Sequence, residues 1–346
     1  MIYDFVSHYV KSFKIIFKNE KMKKFKYFIS DIIVKITSIL LPSKIMRNKK
    51  YFQIWESNGY HITPVHHYEP IPDSRDFPPD IFERESPLSG INLFENDQIL
   101  LLNDFSSKYK EEYSDFSFSK SSVEKDFYFG NGVFETVDAE ILYCMIRKNK
   151  PNRIIEIGSG FSTLISAKAI KKNKIEDSRY SCELICIEPY PNDWLCNIPE
   201  VKKIIKSPVE KLSLDTFKIL EQNDILFIDS THIIKIYNDV CFEYLEILPI
   251  LNNGVIVHIH DIVLPNLYCV YWYNLKMFWT EQYLLQAFLT GNSSFKVLWA
   301  ANFMHLKHSL ELAQAFPSYL WFKNHKDLVK HLEGHKSFWV QRISSM

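Results

Sequence analysis

The stretch RIIEIGSGFSTLISAKAI, residues 153–170, decides the fold of this chain. Residues 153–157 form a short apolar, β-branched run that predicts a strand, and Gly158 and Gly160 predict a tight turn. A helix over 162–172 should follow, and we expect it to begin at a Ser/Thr cap. A strand, a glycine turn and a helix in this order are typical of a nucleotide-binding site.

The rest of the chain beyond residue 135 continues this alternation of strands and helices. Apolar runs predict six further strands at 181–188, 201–206, 224–229, 254–261, 295–303 and 337–343, and helical patterns occupy 138–148, 238–251 and 281–289. Near-continuous apolar strands separated by helices predict a parallel sheet that is buried on both faces. We expect the last two strands to form an antiparallel end of that sheet.

Polar and charged residues follow the predicted strands, at the edge where open parallel sheets bind their ligands. They are Glu156, Gly158, Ser159 and Gly160 after the first strand, Glu188 after the second, Ser207 after the third, Asp229 and His232 after the fourth, and His258, His260 and Asp261 at the fifth. Packing does not explain such a concentration, so the sequence predicts a ligand site at this edge.

The glycine turn argues against two common nucleotide sites. A dinucleotide fingerprint needs a third glycine where this chain has Thr163, and a phosphate loop would end in Gly-Lys-Ser/Thr, which does not occur in the sequence. A carboxylate before the turn, Glu156, suits a ligand with a positive centre and an amino acid moiety. Glu188 is placed to accept two ribose hydroxyls. S-adenosylmethionine fits both requirements.

Four motifs carry a family resemblance: EIGSGFST at 156–163, CIEP at 186–189, FIDSTH at 227–232 and VHIHDI at 257–262. With them the chain resembles the class I S-adenosylmethionine-dependent methyltransferases, and within these a bacterial branch often encoded with surface-polysaccharide genes. The resemblance covers roughly residues 50–343. It implies an α/β fold with a Rossmann-like seven-stranded sheet of order 3-2-1-4-5-7-6, behind an N-terminal helical and irregular extension.

The resemblance also implies roles for individual residues. The loop around the methionine and ribose portions of the cofactor would be Glu156, Gly158, Ser159, Gly160 and Ser162, with Glu188 as ribose acceptor and Ser207 and Val209 beside the adenine. In metal-dependent catechol-type O-methyltransferases the metal ligands fall where this chain has Asp229, His260 and Asp261, and a lysine base falls where it has His232. Imidazole is a poor ligand for Mg²⁺, which disfavours a magnesium site. The sequence therefore leaves open whether a divalent cation is bound.

The predicted reaction is O-methylation of a hydroxyl on a sugar or glycan-related small molecule, an acceptor class implied by the resemblance alone. Such a hydroxyl needs a general base or a metal that lowers its pKa. The predicted catalytic residues are Asp229, His232, His260 and Asp261. Other candidates are His258, on the same face of its strand as His260, and His61 or His66 in the aromatic and proline-rich segment 51–79. Tyr271 or Trp272 is a candidate for stacking on the acceptor.

Two other functions are considered. A degenerate methyltransferase fold that serves as a scaffold at the membrane is disfavoured because Glu156, Glu188 and Asp229 are all present. An NAD-dependent sugar oxidoreductase is disfavoured by Thr163. No nucleic-acid partner is expected.

The N-terminal residues differ in charge from the rest of the chain. Residues 1–50 hold 12 Lys/Arg against three acidic residues, although the whole chain is balanced at 41 and 41. Isoleucines and Phe28 recur there at helical spacing beside lysines, which suits either a basic helix on an anionic membrane or a helix packed on its own domain. Because Asp31 and Lys35 interrupt the longest apolar run, we expect no membrane span.

We therefore expect three segments: a basic amphipathic helical arm at 1–50, a lid or extension at 51–126 that ends in a polar linker at 104–126, and a methyltransferase domain at 127–346. The six cysteines lack CxxC pairs or the dense spacing of a disulfide scaffold. This favours a reduced, cytoplasmic location, with peripheral contact to the inner membrane surface through the arm.

Overall fold

The computed structural model describes residues 20–120, 126–325 and 335–343. The chain divides into two compact units, Met1–Phe77 and Pro78–Met346. Residues 78–126, which the sequence analysis grouped with the extension, thus belong to the larger unit.

The smaller unit is helical over its first described part. Its helices are α1 (Glu20–Leu40), α2 (Ser43–Met46) and α3 (Lys49–Ser57), and a 3₁₀ turn follows at Ser74–Asp76. The predicted arm is therefore helical from Glu20 onward, and its first 19 residues lie outside the described ranges. In the described part of the chain, no helix combines the length and the apolar character that crossing a bilayer requires.

The larger unit is built on one seven-stranded sheet. Its strands are β1 (Arg153–Ile157), β2 (Glu183–Ile187), β3 (Val201–Ile205), β4 (Ile225–Ile228), β5 (Ile256–Ile259), β6 (Phe295–Ala300) and β7 (Phe338–Arg342). The order is 3-2-1-4-5-7-6. Strands β1 to β5 are parallel, and β7 pairs antiparallel with both β5 and β6. The predicted Rossmann-like methyltransferase sheet is confirmed.

Helices connect these strands and flank the sheet. They are α4 (Glu95–Ser114), α5 (Asp138–Asn149), α6 (Phe161–Glu176), α7 (Asp215–Lys218), α8 (Asp239–Phe242), α9 (Leu248–Ile250), α10 (Val270–Asn274), α11 (Glu281–Leu289), α12 (Ala301–Lys307), α13 (Ser309–Ala315) and α14 (Pro317–Asn324), with a π-helical turn at Glu243–Ile247 between α8 and α9. The expected strand at 295–303 ends at Ala300, because the chain turns there into α12.

Both faces of the sheet are buried, as the apolar strands predict. Along β1, Ile154 packs into the hydrophobic cluster on one face, and Ile155 and Ile157 pack into the cluster on the other. Side chains alternate across a strand, so a strand that is apolar at every position must be covered on both sides. The polar edge of the sheet is thereby left as the place where charged side chains can collect.

The expected polar linker at 104–126 is helical in its first part. Residues 104–114 belong to α4, where Phe105 and Tyr113 are buried and the Tyr113 hydroxyl donates to the carbonyl of Ala315 at 3.0 Å. Leu102, Phe105, Tyr109 and Tyr113 are spaced three or four residues apart, which is the period of a helix. The intervening serine, lysine and glutamate residues dominate the composition and conceal this pattern.

The turn after β1 joins three strands. The N–H of Gly158 donates to the carbonyl of Ile187 at 3.0 Å, and the N–H of Asp229 donates to the carbonyl of Ile157 at 2.9 Å. Gly158 has a φ of 78°, and a Cβ there would lie 1.9 Å from the backbone oxygen of Asp229. Glycine at this position thus lets the first turn lie directly against the end of β4.

The cap of α6 differs from the prediction of a Ser/Thr residue at the first position. The cap residue is Gly160, and its N–H donates to Oγ1 of Thr163 at 3.0 Å. The threonine side chain thus satisfies the helix end from three residues further on, as the last residue of a capping box does. The residue that excludes a dinucleotide fingerprint therefore has a structural role in this turn.

Gly158→Ala should destabilise the protein by at least about 3 kcal/mol, because the new methyl would meet a backbone oxygen and the positive φ adds strain. Gly132→Ala is the matched control: its φ is 80°, and a Cβ there meets nothing within 4 Å. The control should lose only the strain term, about 1 kcal/mol. Urea unfolding measures both, and equal losses would show that the close approach to Asp229 is unimportant.

Candidate active site

The loop after β1 buries a carboxyl group. Glu156 is fully buried; its Oε1 accepts a hydrogen bond from the Ser162 hydroxyl at 2.5 Å, and its Oε2 has no partner within the structure. Burial raises the pKa of Glu156 to about 8, although hydrogen bonds from Ser162 and Thr163 oppose the rise. The Oγ of Ser159 is also buried and has no hydrogen-bond partner in the part of the chain that the structure describes. Buried polar atoms are almost always bonded, so this loop has unused capacity for a ligand.

Two backbone amides fix the orientation of the Glu188 carboxylate at the end of β2. Its Oε1 accepts from the N–H of Tyr190 at 2.8 Å, and its Oε2 accepts from the N–H of Ser159 at 3.3 Å. The side chain is half-buried. A carboxylate has about four lone-pair sites, so it can still accept two hydroxyl donors in this fixed orientation.

The two residues predicted to border an adenine follow β3. Val209 is buried, and the half-buried Ser207 donates from its hydroxyl to the carbonyl of Pro208 at 3.1 Å. The end of β3 is tied to β2 by the N–H of Glu188, which donates to the carbonyl of Ile205 at 3.0 Å. Parallel pairing thus brings the predicted residues after β1, β2 and β3 to one edge.

A second cluster lies at the ends of β4 and β5. Ligand atoms of Asp229, His232 and Asp261 all lie within 4.8 Å of one another. Nε2 of His232 is 3.3 Å from Oδ1 of Asp229 and 3.4 Å from Oδ2 of Asp261. His232 and Asp261 have φ values of 61° and 53°, so both are in the left-handed region, where strain is typical of functional sites.

The carboxylate of Glu281 fixes the orientation of the His232 ring from its Nδ1 side. Its Oε2 is 2.7 Å from Nδ1 of His232, and its Oε1 accepts from the Tyr244 hydroxyl at 3.0 Å. Burial acts to lower the pKa of His232, but Asp229 and Glu281 outweigh it and hold that pKa well above its usual value. Nothing in the sequence pattern of α11 distinguishes Glu281 from any acidic residue in a first helical turn, and the sequence analysis missed it.

Lys336 completes the cluster. Its Nζ is 3.0 Å from Oδ1 of Asp261 and 4.6 Å from the centre of the Trp272 ring, and the residue is buried. Burial acts to raise the pKa of Asp261, but the charge of Lys336 outweighs it and holds that pKa below its usual value. The carboxylate of Asp138 fixes the backbone here, since it accepts the N–H of Lys336 at 3.0 Å.

The sequence analysis missed Lys336, although a signal was available. An antiparallel strand begins at the edge where its parallel neighbours end. The residue before β7 therefore lies beside the residues after β5, and the N–H of Ile262 donates to the carbonyl of Lys336 at 2.8 Å. The predicted antiparallel end of the sheet thus pointed to the start of β7 as well as to the ends of β1 to β5.

The other predicted histidines lie outside the cluster. His258 is buried between Phe227 and Trp339, with ring centres 4.1 and 4.7 Å away, and neither of its nitrogens has a hydrogen-bond partner among the described residues. Burial holds its pKa well below the usual value, so it serves as a neutral core ring. His260 is buried, and its Nε2 is 3.9 Å from Asp261. The cluster in the structure consists of Asp229, His232 and Asp261, whereas the predicted metal ligands included His260 in place of His232.

The histidines of segment 51–79 lie in the smaller unit. His61 and His66 are both exposed there, and Nε2 of His61 is 3.4 Å from Oε1 of Glu56. Their proposed role as reserve bases under a lid stays a prediction.

Aromatic side chains form a wall beside the cluster. Trp272 and Trp279 are half-buried with ring centres 4.4 Å apart, and the ring of Trp279 is 4.6 Å from that of His232. The ring of Tyr271 is 5.1 Å from that of Trp272. Predicted stacking residues thus lie next to the residues predicted to be catalytic.

Comparisons with known proteins identify the domain that contains β1 to β5. A family model described as a methyltransferase domain matches residues 155–262, which run from β1 to just past β5. An uncharacterised protein of Archaeoglobus fulgidus is 34% identical over 176 residues, covering 48% of this chain and 76% of that protein.

Solved structures with a similar fold include two methyltransferases. An O-methyltransferase from Bacillus cereus in complex with SAH has 12% identity and a TM-score of 0.33, over 71% of this chain and 91% of that one. A putative protein-L-isoaspartate O-methyltransferase from Plasmodium falciparum, in complex with S-adenosyl-L-homocysteine, has 13% identity and a TM-score of 0.29, over 47% and 83%. These scores are too low for residue-by-residue equivalence.

The family model covers the ends of β1 to β5, where Glu156, Glu188, Asp229 and Asp261 lie. The chain belongs to the same family as the archaeal protein, and its residues 155–262 form a methyltransferase domain.

Proposed function

We propose that this chain is an S-adenosylmethionine-dependent methyltransferase that O-methylates a hydroxyl of a sugar or glycan-related small molecule. One observation carries the proposal: Gly158 lets the loop after Glu156, which is bonded to Glu188 through the N–H of Ser159, lie against the strand end that holds Asp229. This contact brings the cofactor loop next to the acidic cluster, and methyl transfer requires such proximity because donor and acceptor must be aligned.

The residues present fit the cofactor. S-adenosylmethionine has an ammonium group, two ribose hydroxyls and an adenine, and when bound it supplies a methyl group on a sulfonium centre. Glu156 offers the unpartnered oxygen for a cation, and Glu188 offers its remaining lone pairs to the hydroxyls. A Cβ at Gly160 would meet nothing within 4 Å, so the turn leaves open space above it.

The acceptor hydroxyl must lose a proton during transfer, and Asp229 is the group best placed to receive it. Its side chain is 23% exposed, against 7% for His232 and 12% for Asp261. With carboxylates at both ring nitrogens and a raised pKa, His232 is an imidazolium near neutral pH and has no lone pair to offer. We therefore assign His232 to positioning Asp229, and not to the role of base that the sequence suggested.

A divalent cation is the alternative way to activate the hydroxyl. Asp229, His232 and Asp261 would hold it, and Glu281 would orient the imidazole as carboxylates behind metal-bound histidines do. The cation would lower the pKa of the hydroxyl as a Lewis acid. We favour the form without metal, because Lys336 and His232 already face the two oxygens of Asp261.

The acceptor class is supported by the aromatic wall. The half-buried ring of Trp279 lies beside His232, and that of Trp272 lies beside Trp279; such rings offer apolar contact area next to polar groups. A sugar has the matching character, with C–H faces and hydroxyl edges. The link to surface polysaccharides rests on the family resemblance. Mass spectrometry of surface glycans with and without the protein would test it.

Glu188→Ala should weaken S-adenosylmethionine binding by about 1.5 to 3 kcal/mol, the usual loss for hydrogen bonds to a charged group. The matched control is Glu183→Ala at the other end of β2, where the side chain is 58% exposed beside Arg153. That variant should bind within about 0.5 kcal/mol of the original chain. Titration calorimetry measures both, and absence of binding by the unaltered chain would refute the proposed function itself.

Asp229→Asn should abolish methyl transfer and leave the fold intact, because the amide cannot take the proton but keeps the shape. Asp239→Asn is the control, since among the described residues the Asp239 carboxylate bonds within the neighbouring loop, where it accepts from Thr231, from the side-chain amide of Asn238 and from the N–H of Val240. Transfer of a labelled methyl group gives the readout. EDTA should leave the activity unchanged if the enzyme works without a metal, and should abolish it if the enzyme needs a divalent cation. Full activity of Asp229→Asn would contradict both.

Glu156→Gln should stabilise the ligand-free protein above neutral pH and weaken S-adenosylmethionine binding. A carboxyl with its pKa raised to about 8 keeps its proton in the folded state, while the unfolded chain loses it above about pH 4.5. The original chain therefore loses stability as pH rises from 4.5 to 8, on the order of 2 to 5 kcal/mol in total. The glutamine variant lacks this loss.

Glu140→Gln separates the two effects. Glu140 is also fully buried, its pKa is also raised to about 8 by burial, and it also has an unpartnered oxygen, but it lies in α5 beside Ser318. This variant should gain stability at high pH with unchanged ligand affinity. Denaturant melts from pH 5 to 9 and calorimetry supply the two readouts, and equal affinity loss in both variants would count against a ligand role for Glu156.

A further inference from the structure

We propose that helix α1 binds the surface of an anionic lipid bilayer and holds the protein there. The proposal concerns the smaller unit and does not depend on the methyl transfer proposed above. It rests on the exposed side chains of α1 and α3 and on their arrangement around each helix.

One side of α1 is apolar and exposed along its length. Tyr27 and Val34 are exposed on the opposite side, and at roughly 100° per residue the other eight exposed large apolar side chains of the described α1 residues fall within an arc of about 140°. They are Phe25 (58% exposed), Phe28 (61%), Ile29 (41%), Ile32 (42%), Ile33 (58%), Ile36 (51%), Ile39 (81%) and Leu40 (67%). Single exposed apolar residues are normal in soluble proteins, but a contiguous stripe marks an interaction surface.

Lysines border this stripe on both sides. Lys24 and Lys35 lie along one margin and Lys26 lies along the other, and all three are exposed. Lysine at these margins can lay its alkyl stem along an apolar surface and keep its ammonium group in water. An apolar stripe with lysine at both margins matches the boundary between acyl chains and anionic headgroups.

Helix α3 repeats the pattern. Tyr51 and Phe52 are exposed by 40% and 37%, Ile54 by 49%, and Trp55 is half-buried on the same side. Lys49 and Lys50 begin this helix, and Asn48 caps it by accepting the N–H of Lys50 at 3.0 Å. Tyrosine and tryptophan are enriched at membrane interfaces. Helices α1 and α3 thus both carry exposed apolar side chains together with lysines.

Charge favours a bilayer over a second copy of the chain as the occupant. The sequence of α1 has five lysines against Glu20 and Asp31, so two copies packed through the stripe would bring lysine margins together. Like charges at such margins are destabilising, whereas an anionic surface attracts each of them. The acidic remainder of the chain, with 38 Asp/Glu in residues 51–346, makes α1 the local site of attraction.

Vesicle co-sedimentation of the full chain tests the proposal. With vesicles of equal phosphatidylglycerol and phosphatidylcholine at low salt, the original chain should bind, and pure phosphatidylcholine should retain little of it. Ile32→Glu with Ile36→Glu places two charges in the stripe and should weaken binding at least about tenfold. Lys24→Gln with Lys35→Gln should weaken it about fivefold per lysine at low salt, and less at high salt.

The matched control is Ser30→Glu with Val34→Glu. It makes the same change in charge at the same spacing, on the opposite side of α1, where both residues are exposed. It should weaken binding clearly less than the stripe variant, and thermal melts of all variants check that the fold is kept.

Three results would overturn the proposal: no binding to anionic vesicles, equal binding to neutral ones, or equal loss in the stripe and control variants. A fourth would replace the bilayer with a second copy: no vesicle binding, together with a dimer by light scattering that the stripe variant dissociates.

Discussion

The contact between Gly158 and the backbone oxygen of Asp229 is the constraint on which the candidate site depends. It is short enough that only a residue without a side chain can occupy the turn. The position of this turn determines where α6 begins and where the N–H of Ser159 bonds Glu188. It also determines the position of the end of β4. The cofactor loop after β1 and the cluster at the end of β4 are therefore positioned by the same backbone contact, so a displacement of one would displace the other.

Charge burial is the second feature of the site. Asp261, His232, Lys336, Glu281 and Glu156 are all buried, although charged groups are costly to remove from water. Four of them compensate each other as ion pairs, and Glu156 is compensated only by its hydrogen bonds and a raised pKa. The first group is pre-organised before any ligand arrives. Glu156 is different, because its unpartnered oxygen gains a partner only when a polar or cationic group enters.

The sequence predicted the sheet well because its strands are apolar at nearly every position. Every strand was placed within a few residues, and the two late strands were placed as an antiparallel end. The polar residues after β1, β2 and β4 were found for the same reason, since strand ends follow from strand limits. The error at 104–114 arose where polar side chains outnumber the buried ones, although Leu102, Phe105 and Tyr113 keep a helical period.

Side-chain partners were harder to predict than positions. In the sequence His232 is three residues from Asp229 and His260 is adjacent to Asp261, so spacing does not show which ring faces both carboxylates. In the structure it is His232, and both His232 and Asp261 have a positive φ. Glu281 and Lys336 come from elements 49 and 75 residues beyond His232 and Asp261, respectively. Such pairings depend on how helices and strands meet, which a single sequence does not specify.

The antiparallel direction of β7 has a practical consequence. This strand starts at the ligand edge with Lys336 and runs away from it, so that Arg342 is at the opposite edge, where its carbonyl accepts the N–H of Gly254 ahead of β5. The chain therefore leaves β7 at the edge of the sheet opposite the loops of the site. A fluorophore, a purification handle or a surface linker placed there would leave the approach of cofactor and acceptor unobstructed.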